Sequence, residues 1–375
     1  MHPFKKVLIL VIILLTFFII YNLLISRKEI QIQGQKEQNQ LQERELKEGF
    51  GQEKEGFGQE KEGFGQGQED DEVKNMKNTG PISITSIPQN YLDLPIREFI
   101  VKSSYNSALS GQYAGKEPIL TVLERGCRLL DFEIYTRDSI EYVSYSGDPE
   151  FKSMDTENEV GKRLSLGEAF NTVIGYSFTA PSPSPNDPLF ISLRIKNNSS
   201  EAYSRIAMLI ENAFATRLFK GDVNSGIPLS ELMGKVIIIL DKTSSPGYKN
   251  YIKCESSKCF KLDNYINIES GTISLPKYTY SDLVTLSPKI VTTSQTGLRT
   301  DIDSFMMVTP LQVDQIKPPT PKKAFSIWHP QFLLYKFYKP SEELTEYEKI
   351  FNSYQCSFVP ISRIVTKSYL KNSAR

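Results

Sequence analysis

The sequence predicts an α/β protein built as a TIM-type (β/α)8 barrel, carried by residues 92–368. Three observations lead there. Strand-like and helix-like runs alternate over about 270 residues, the pattern of a parallel sheet wrapped by helices. KVIIILDK (235–242) is a continuous apolar run, as expected of a strand covered on both faces. SSEAYSRIAMLIENAFATRLF (199–219) sets Ile206, Leu209, Ile210 and Phe214 at helical spacing, with Ser200 as its candidate cap. A doubly wound sheet is the alternative. In both architectures functional residues gather at the carboxyl ends of the strands.

The other elements follow in order. REFIVKS (97–103) reads as a strand, and EPILTVLERG (117–126) as a helix ended by Gly126. CRLLDFEIY (127–135) and IEYVSY (140–145) read as strands, LGEAFNTVIGYSF (166–178) as a helix, and PLFISLRI (188–195) as a buried strand. FLLYKFY (332–338) and SFVPI (357–361) are late strands around the helix EELTEYEKIF (342–351). PSPSPNDP (181–188) and KPPTPKK (317–323) are loops, the second with a basic tip able to touch anionic lipid.

The first 91 residues are of another kind. Residues 7–26, VLILVIILLTFFIIYNLLIS, carry no charge and as a helix span about 30 Å, one bilayer core. The run is longer than a signal peptide's apolar region and lacks a small-residue cleavage site. Residues 1–28 are therefore expected to be a single-pass anchor, of undefined orientation. Residues 29–91 are expected to form a disordered polar stalk. EGFGQEK stands at 48–54 and 55–61 and EGFGQ at 62–66; one phenylalanine per repeat cannot bury a core. These Phe-Gly repeats could bind a protein partner. Residues 369–375 are read as a tail. Which membrane the anchor enters stays open; a host or virion membrane of a large DNA virus is one setting.

Composition narrows the chemistry. The chain holds 44 Lys plus Arg against 44 Asp plus Glu, so no basic excess points to nucleic acid. Four cysteines in 375 residues are not a disulfide scaffold; Cys254 and Cys259 are close enough to pair or stay as free thiols. The two histidines are His2, beside the anchor, and His329. Any mechanism needing a histidine pair in the head is excluded. Asn197 and Asn198 open two overlapping N-glycosylation patterns. No P-loop, dinucleotide fingerprint or zinc-type spacing occurs.

Several pieces in order give the head a resemblance. They are Ser103-Ser104-Tyr105-Asn106, then Arg125-Gly126-Cys127-Arg128 with Asp131 and Glu133, then Tyr145-Ser146-Gly147. Ser192-Leu193-Arg194-Ile195, ELMGKVIIILDK, YSDLV (280–284) and QFLLYKFY follow. Over most of residues 95–362 the head resembles the X domain of phosphatidylinositol-specific phospholipase C, a PLC-like phosphodiesterase. The resemblance implies a catalytic barrel with two histidines, one as general base and one as general acid. It also implies a calcium site made by an asparagine, two acids on the second strand and an acid further on.

This chain departs at each of those places. Tyr105 stands at the first histidine position, and Ser146, or Tyr145 in a shifted alignment, at the second. A phenol with pKa near 10 is a poor base at neutral pH, and a serine hydroxyl is no general acid. Of the metal ligands, Asn106, Asp131 and Glu133 are present, with the two acids reversed in size, and Arg194 replaces the fourth. Arg194 is expected to pair with Glu133 or Asp131 across the barrel mouth, in the metal's place. Lys242 is either a surviving headgroup-binding lysine or a solvated strand-end charge. His329 and Trp328 in SIWHP are read as structural.

The expected protein is a membrane-anchored, catalytically inactive relative of phospholipase C that binds a ligand or lipid, such as a phosphoinositide, or serves as a structural module. No cofactor is expected, and Ca²⁺ only if the degenerate site of Asn106, Asp131 and Glu133 still binds it. The alternatives are an active phosphodiesterase with a rearranged site using Tyr105, Asp131 and Glu133, and a structural component of a membrane or virion assembly.

Overall fold

The computed structural model describes residues 73–77, 80–111, 114–145, 164–250, 260–286, 305–311 and 317–373. The expected anchor, the Phe-Gly repeats, Ser146, Cys254 and Cys259 lie outside these residues. Among the described residues no helix is long and apolar enough to cross a membrane.

Eleven strands are seen among the described residues: β1 (Phe99–Ser104), β2 (Leu129–Arg137), β3 (Ile140–Val143), β4 (Leu164–Ser165), β5 (Leu189–Ile195), β6 (Val236–Asp241), β7 (Ile268–Ser270), β8 (Lys277–Thr279), β9 (Met307–Thr309), β10 (Phe332–Tyr335) and β11 (Phe358–Pro360). Eight of them run parallel in the order β7-β6-β5-β2-β1-β10-β9-β8. The two end strands are not hydrogen-bonded to each other, yet the sheet curls until its ends meet. Lys277 on β8 lies 2.6 Å from Asp241 on β6, near the opposite end of the order. One inner cluster also joins Ile268, Met307, Phe332, Val101 and Phe190 from five strands. The architecture is thus a nearly closed barrel rather than a doubly wound open sheet.

Two predicted strands lie off the barrel path. β3 pairs antiparallel with β2 as a hairpin that β4 extends. β11 pairs antiparallel with β1 and brings Phe358 against Phe99 and Phe190. The barrel is completed instead by β7, β8 and β9. Each has three residues, too few to show a periodicity.

Local chemistry sets the helix ends. The first helix, α1 (Lys116–Glu124), is followed by Gly126 at φ +79°. A side chain there would be strained, and its Cβ would come within 2.7 Å of Ile84 Cδ1. The next, α2 (Leu166–Ser177), opens with a Ser165–Glu168 capping box. The cap of α3 (Ser200–Phe214) is Ser199 and not Ser200: the Ser199 hydroxyl accepts from Ala202 N at 3.2 Å. This helix stops short of residue 219 because Phe219 N donates to Val236 O, committing the chain to β6. Three more helices close the head: α4 (Pro321–Ile327), α5 (Glu342–Tyr354) and α6 (Ile361–Ser373), the last running into the predicted tail.

The head also begins earlier than residue 92. Met76, Ile84 and Ile87 are buried. Thr85 N donates to Gln355 O, and Ile87 N to Asp187 Oδ1. The reason is ISITSIP (82–88), whose isoleucines need cover that a solvated stalk cannot give.

Strand alternation sorts the barrel interior into two zones. Near the amino ends of the strands, Phe99, Phe190, Phe305, Phe332 and Phe358 form a contiguous set of ring contacts. Toward the carboxyl ends, the same inward positions carry Asp131, Glu133, Ser192, Arg194 and Asp241. Outside the sheet, Lys102 of β1 is fully buried against α5. Its ammonium donates to Arg125 O and Glu348 Oε1, and Arg125 binds Glu348 through two 2.6 Å bonds. Burial lowers the Lys102 pKa, with Glu348 opposing. The PSPSPNDP loop is more than a connector: Arg128, fully buried, donates to Ser184 Oγ, Ser182 Oγ and Ser177 O.

Two outcomes are expected. Glu348→Gln strands two buried cations around a neutral amide and should cost about 3–5 kcal/mol, read as a lower urea midpoint. Burial pushes Asp187 up to about 6, with nearby Arg128 opposing, from an ordinary value near 4. The fold therefore favours its protonated form. That contribution is complete below about pH 4 and is lost as pH rises through about 6. Asp187→Asn should flatten this part of the stability–pH curve by an amount on the order of 2 kcal/mol, measured by urea unfolding from pH 4 to 7.

Candidate functional site

The polar zone at the barrel mouth is built around Arg194 on β5. Register places it beside Glu133 of β2, and its guanidinium reaches three acceptors. Nε lies 3.1 and 3.2 Å from the two Asp131 oxygens, and Nη2 donates to Asp131 Oδ2 at 2.8 Å. Nη1 donates to Glu133 Oε2 at 2.8 Å, and Nη2 also to Asn106 Oδ1. Both ion pairs offered as alternatives from sequence are made at once. Ser192 Oγ and Asn106 N donate to Asp131 as well. The other Glu133 oxygen accepts from the Tyr135 hydroxyl, with Lys196 at 3.5 Å. Tyr105 closes the cluster, its ring centroid 4.4 Å from the guanidinium carbon.

These groups are shut away from water: Asp131 and Glu133 are 0% exposed, Tyr105 and Asn106 3%, and Arg194 5%. Asn106 holds its place with a left-handed backbone, φ 46°, which asparagine tolerates better than most residues. Burial raises the Tyr105 pKa above its ordinary value, with Arg194 opposing and Asp131 and Glu133 adding to the rise. Burial works against the Arg194 charge, but Asp131, Tyr105 and Glu133 outweigh it and raise its pKa.

The mouth thus brings together Tyr105, Asn106, Asp131, Glu133 and Arg194. Lys242 is not among them, which corrects its placement at the mouth. Alternation on β6 turns Asp241 inward and Lys242 outward, where Lys242 meets Glu269 at 2.8 Å. The cation that does reach the inside is Lys277, paired with Asp241. Burial tends to raise Asp241, but Lys277 and Thr243 outweigh it and hold the carboxyl below its ordinary range. Asp241 was legible from strand parity; Lys277 lies on a strand too short to predict. Ser192, Tyr135 and Lys196 were also missed. His329 precedes β10, at the amino end of the barrel and away from the mouth. It is buried, and so is Trp328, whose indole donates to Leu286 O.

Fold and site together define the class: a barrel of the PLC-like phosphodiesterase type. The comparisons carry this to the family. Residues 92–242 match the phosphatidylinositol-specific phospholipase C X domain. The chain is 28% identical over 189 residues to 1-phosphatidylinositol 4,5-bisphosphate phosphodiesterase 1 of Candida albicans, covering 46% of this chain and 17% of that protein. In structure it resembles L. pealei PLC21 with TM-score 0.52 and 13% identity, over 73% of this chain and 39% of that one. S. officinalis PLC21 gives 0.49 and 13%, over 74% and 39%. Residues 92–242 thus carry the likeness to the phosphatidylinositol-specific phospholipase C X domain, and the chain spans a minor part of those relatives' length.

Arg194→Met should leave two buried carboxylates without their main cation and cost about 3–5 kcal/mol. Lys242→Met, breaking a half-exposed pair, should stay within about 1 kcal/mol. Chemical denaturation of the two variants against the parent checks both.

Proposed function

We propose that this chain is a catalytically silent member of its family, held near a membrane by residues 7–26 and acting as a binding or structural module. One observation carries the reading. Tyr105, at the position where the family resemblance implies a general base, is a buried phenol with a raised pKa, and one ring face lies against Arg194. A base whose pKa lies far above neutral pH cannot draw a proton from a sugar hydroxyl at useful rates.

Other features support the same reading. Among the described residues the only imidazole, His329, lies at the far end of the barrel from Tyr105. Ser146, at the position of the general acid, carries no group that donates a proton readily at neutral pH. Each missing partner removes about 10²–10⁴ in rate. Asp131 and Glu133 are tied up in ion pairs. The burial of Tyr105, Asn106 and Arg194 favours a module that works through its shape or outer surface over one that takes a headgroup into the mouth.

The test is lipid turnover by the full chain in mixed micelles, with phosphatidylinositol and with phosphatidylinositol 4,5-bisphosphate, each with and without Ca²⁺. No inositol phosphate should be released above a lipid-only blank. Release that disappears in Glu133→Gln would establish the rearranged-site hydrolase instead.

A further inference from the structure

The family resemblance implies a divalent cation at the barrel mouth, with Asn106, Asp131 and Glu133 among its ligands. The residues present do not fit one. Calcium needs about six to eight oxygens at roughly 2.3–2.6 Å, and each oxygen of this set already has a hydrogen-bond donor. Asn106 Oδ1 accepts from Arg194 Nη2. Asp131 Oδ1 accepts from Ser192 Oγ and Arg194 Nε, and Oδ2 from Asn106 N and Arg194 Nη2. Glu133 Oε2 accepts from Arg194 Nη1, and Oε1 from Tyr135. Where the resemblance implies a fourth, acidic ligand, the chain supplies a cation.

Charge leads to the same point. Asp131 and Glu133 are matched by Arg194 and Lys196, so no net negative charge remains to draw a divalent ion. Among the described residues no three His, Cys, Asp or Glu side chains form a group able to hold a metal. The guanidinium also suits the task sterically. Its planar fork serves two acceptors on β2 and a third in the loop after β1 at once, which a lysine ammonium could not match.

We propose that Arg194 is a built-in cation that takes the place of the divalent metal, so that this barrel mouth assembles without metal and residue 194 is what keeps metal out. The inference is independent of the silent-enzyme reading, because a metal-free hydrolase would share it.

The experiment uses the full chain in detergent, with CaCl2 and with Tb³⁺, which emits when a neighbouring tyrosine is excited; Tyr105 and Tyr135 flank the site. The parent protein should show no rise in melting temperature with millimolar CaCl2 and no sensitised Tb³⁺ emission. Arg194→Glu restores an acid and removes the internal cation. It should melt lower without metal, regain about 3 °C or more with CaCl2, and show Tb³⁺ emission that Asp131→Asn abolishes. Folding only in the presence of CaCl2 would count in the same direction. Arg194→Gln, a milder change, should show weaker emission of the same origin. A CaCl2-dependent rise in the parent, lost on Asp131→Asn, would overturn the proposal whether or not the variants fold. Folded Arg194 variants that bind no cation would overturn the assignment of residue 194 as the barrier.

Discussion

A guanidinium held between two buried carboxylates is the constraint around which the open end of this barrel is organised. Arg194, Asp131 and Glu133 come from adjacent strands, β5 and β2, on the inward-facing parity. None could stand there alone, since an unpaired charge in that position would lose several kcal/mol of hydration. Together they place every carboxylate oxygen on a donor and seat the tyrosine ring over the arginine. The mouth is therefore a polar network with its carboxylates fully paired, capping an apolar interior. Its geometry depends on the strand register, and the register is supported by the phenylalanine contacts at the other end.

The same rule governs the space between sheet and helices. Lys102 on β1 points outward where an apolar residue would be expected, and it is tolerated because α5 brings Glu348 and the turn after α1 brings the Arg125 carbonyl as acceptors. Arg128, two residues past the end of that turn, finds serine oxygens in a proline-rich loop and a nearby carboxylate in Asp187. Asp187 in turn holds the backbone of Ile87. Each buried charge thus ties together segments far apart in sequence. A barrel with three short strands and, among the described residues, an unpaired β7–β8 seam gains tertiary definition from these ties, because misplacing any one segment leaves a charge uncovered.

Much of the frame could be read directly. The apolar run of β6, the amphipathic face of α3 and the alternation of the long elements gave the barrel class, and motif order gave the candidate mouth. What escaped notice has physical reasons. Strands of three residues, such as β7, β8 and β9, carry no period, and what holds them is sheet pairing with neighbours distant in sequence. The ISITSIP segment was absorbed into a polar stalk because its apolar residues are spaced too widely for a strand or helix pattern. Between a headgroup lysine and a strand-end charge for Lys242, strand parity decides: it turns Lys242 outward to Glu269 and Asp241 inward. Lys277 could not be found at all without knowing that β8 curls round to meet β6.

The remaining acids invite a reading that the network makes unnecessary. Asp131 and Glu133 match the family pattern, and two carboxylates at a barrel mouth would ordinarily suggest retained chemistry. Here each is explained without it. With no metal and no Arg194 they would be two adjacent buried anions, a destabilising pair. With Arg194 they become the partners that neutralise it. The acids and the arginine account for one another as a buried charge network, whether or not the barrel ever acts on a lipid. The residue that bears on activity is Tyr105, because the fold does not require a phenol there. A ring is needed to cover the guanidinium face, and an imidazole could cover it too, while also serving as a base. The choice of phenol over imidazole is thus one that stability does not force, and under the proposed silent-enzyme reading it is the choice that takes proton transfer away from the site.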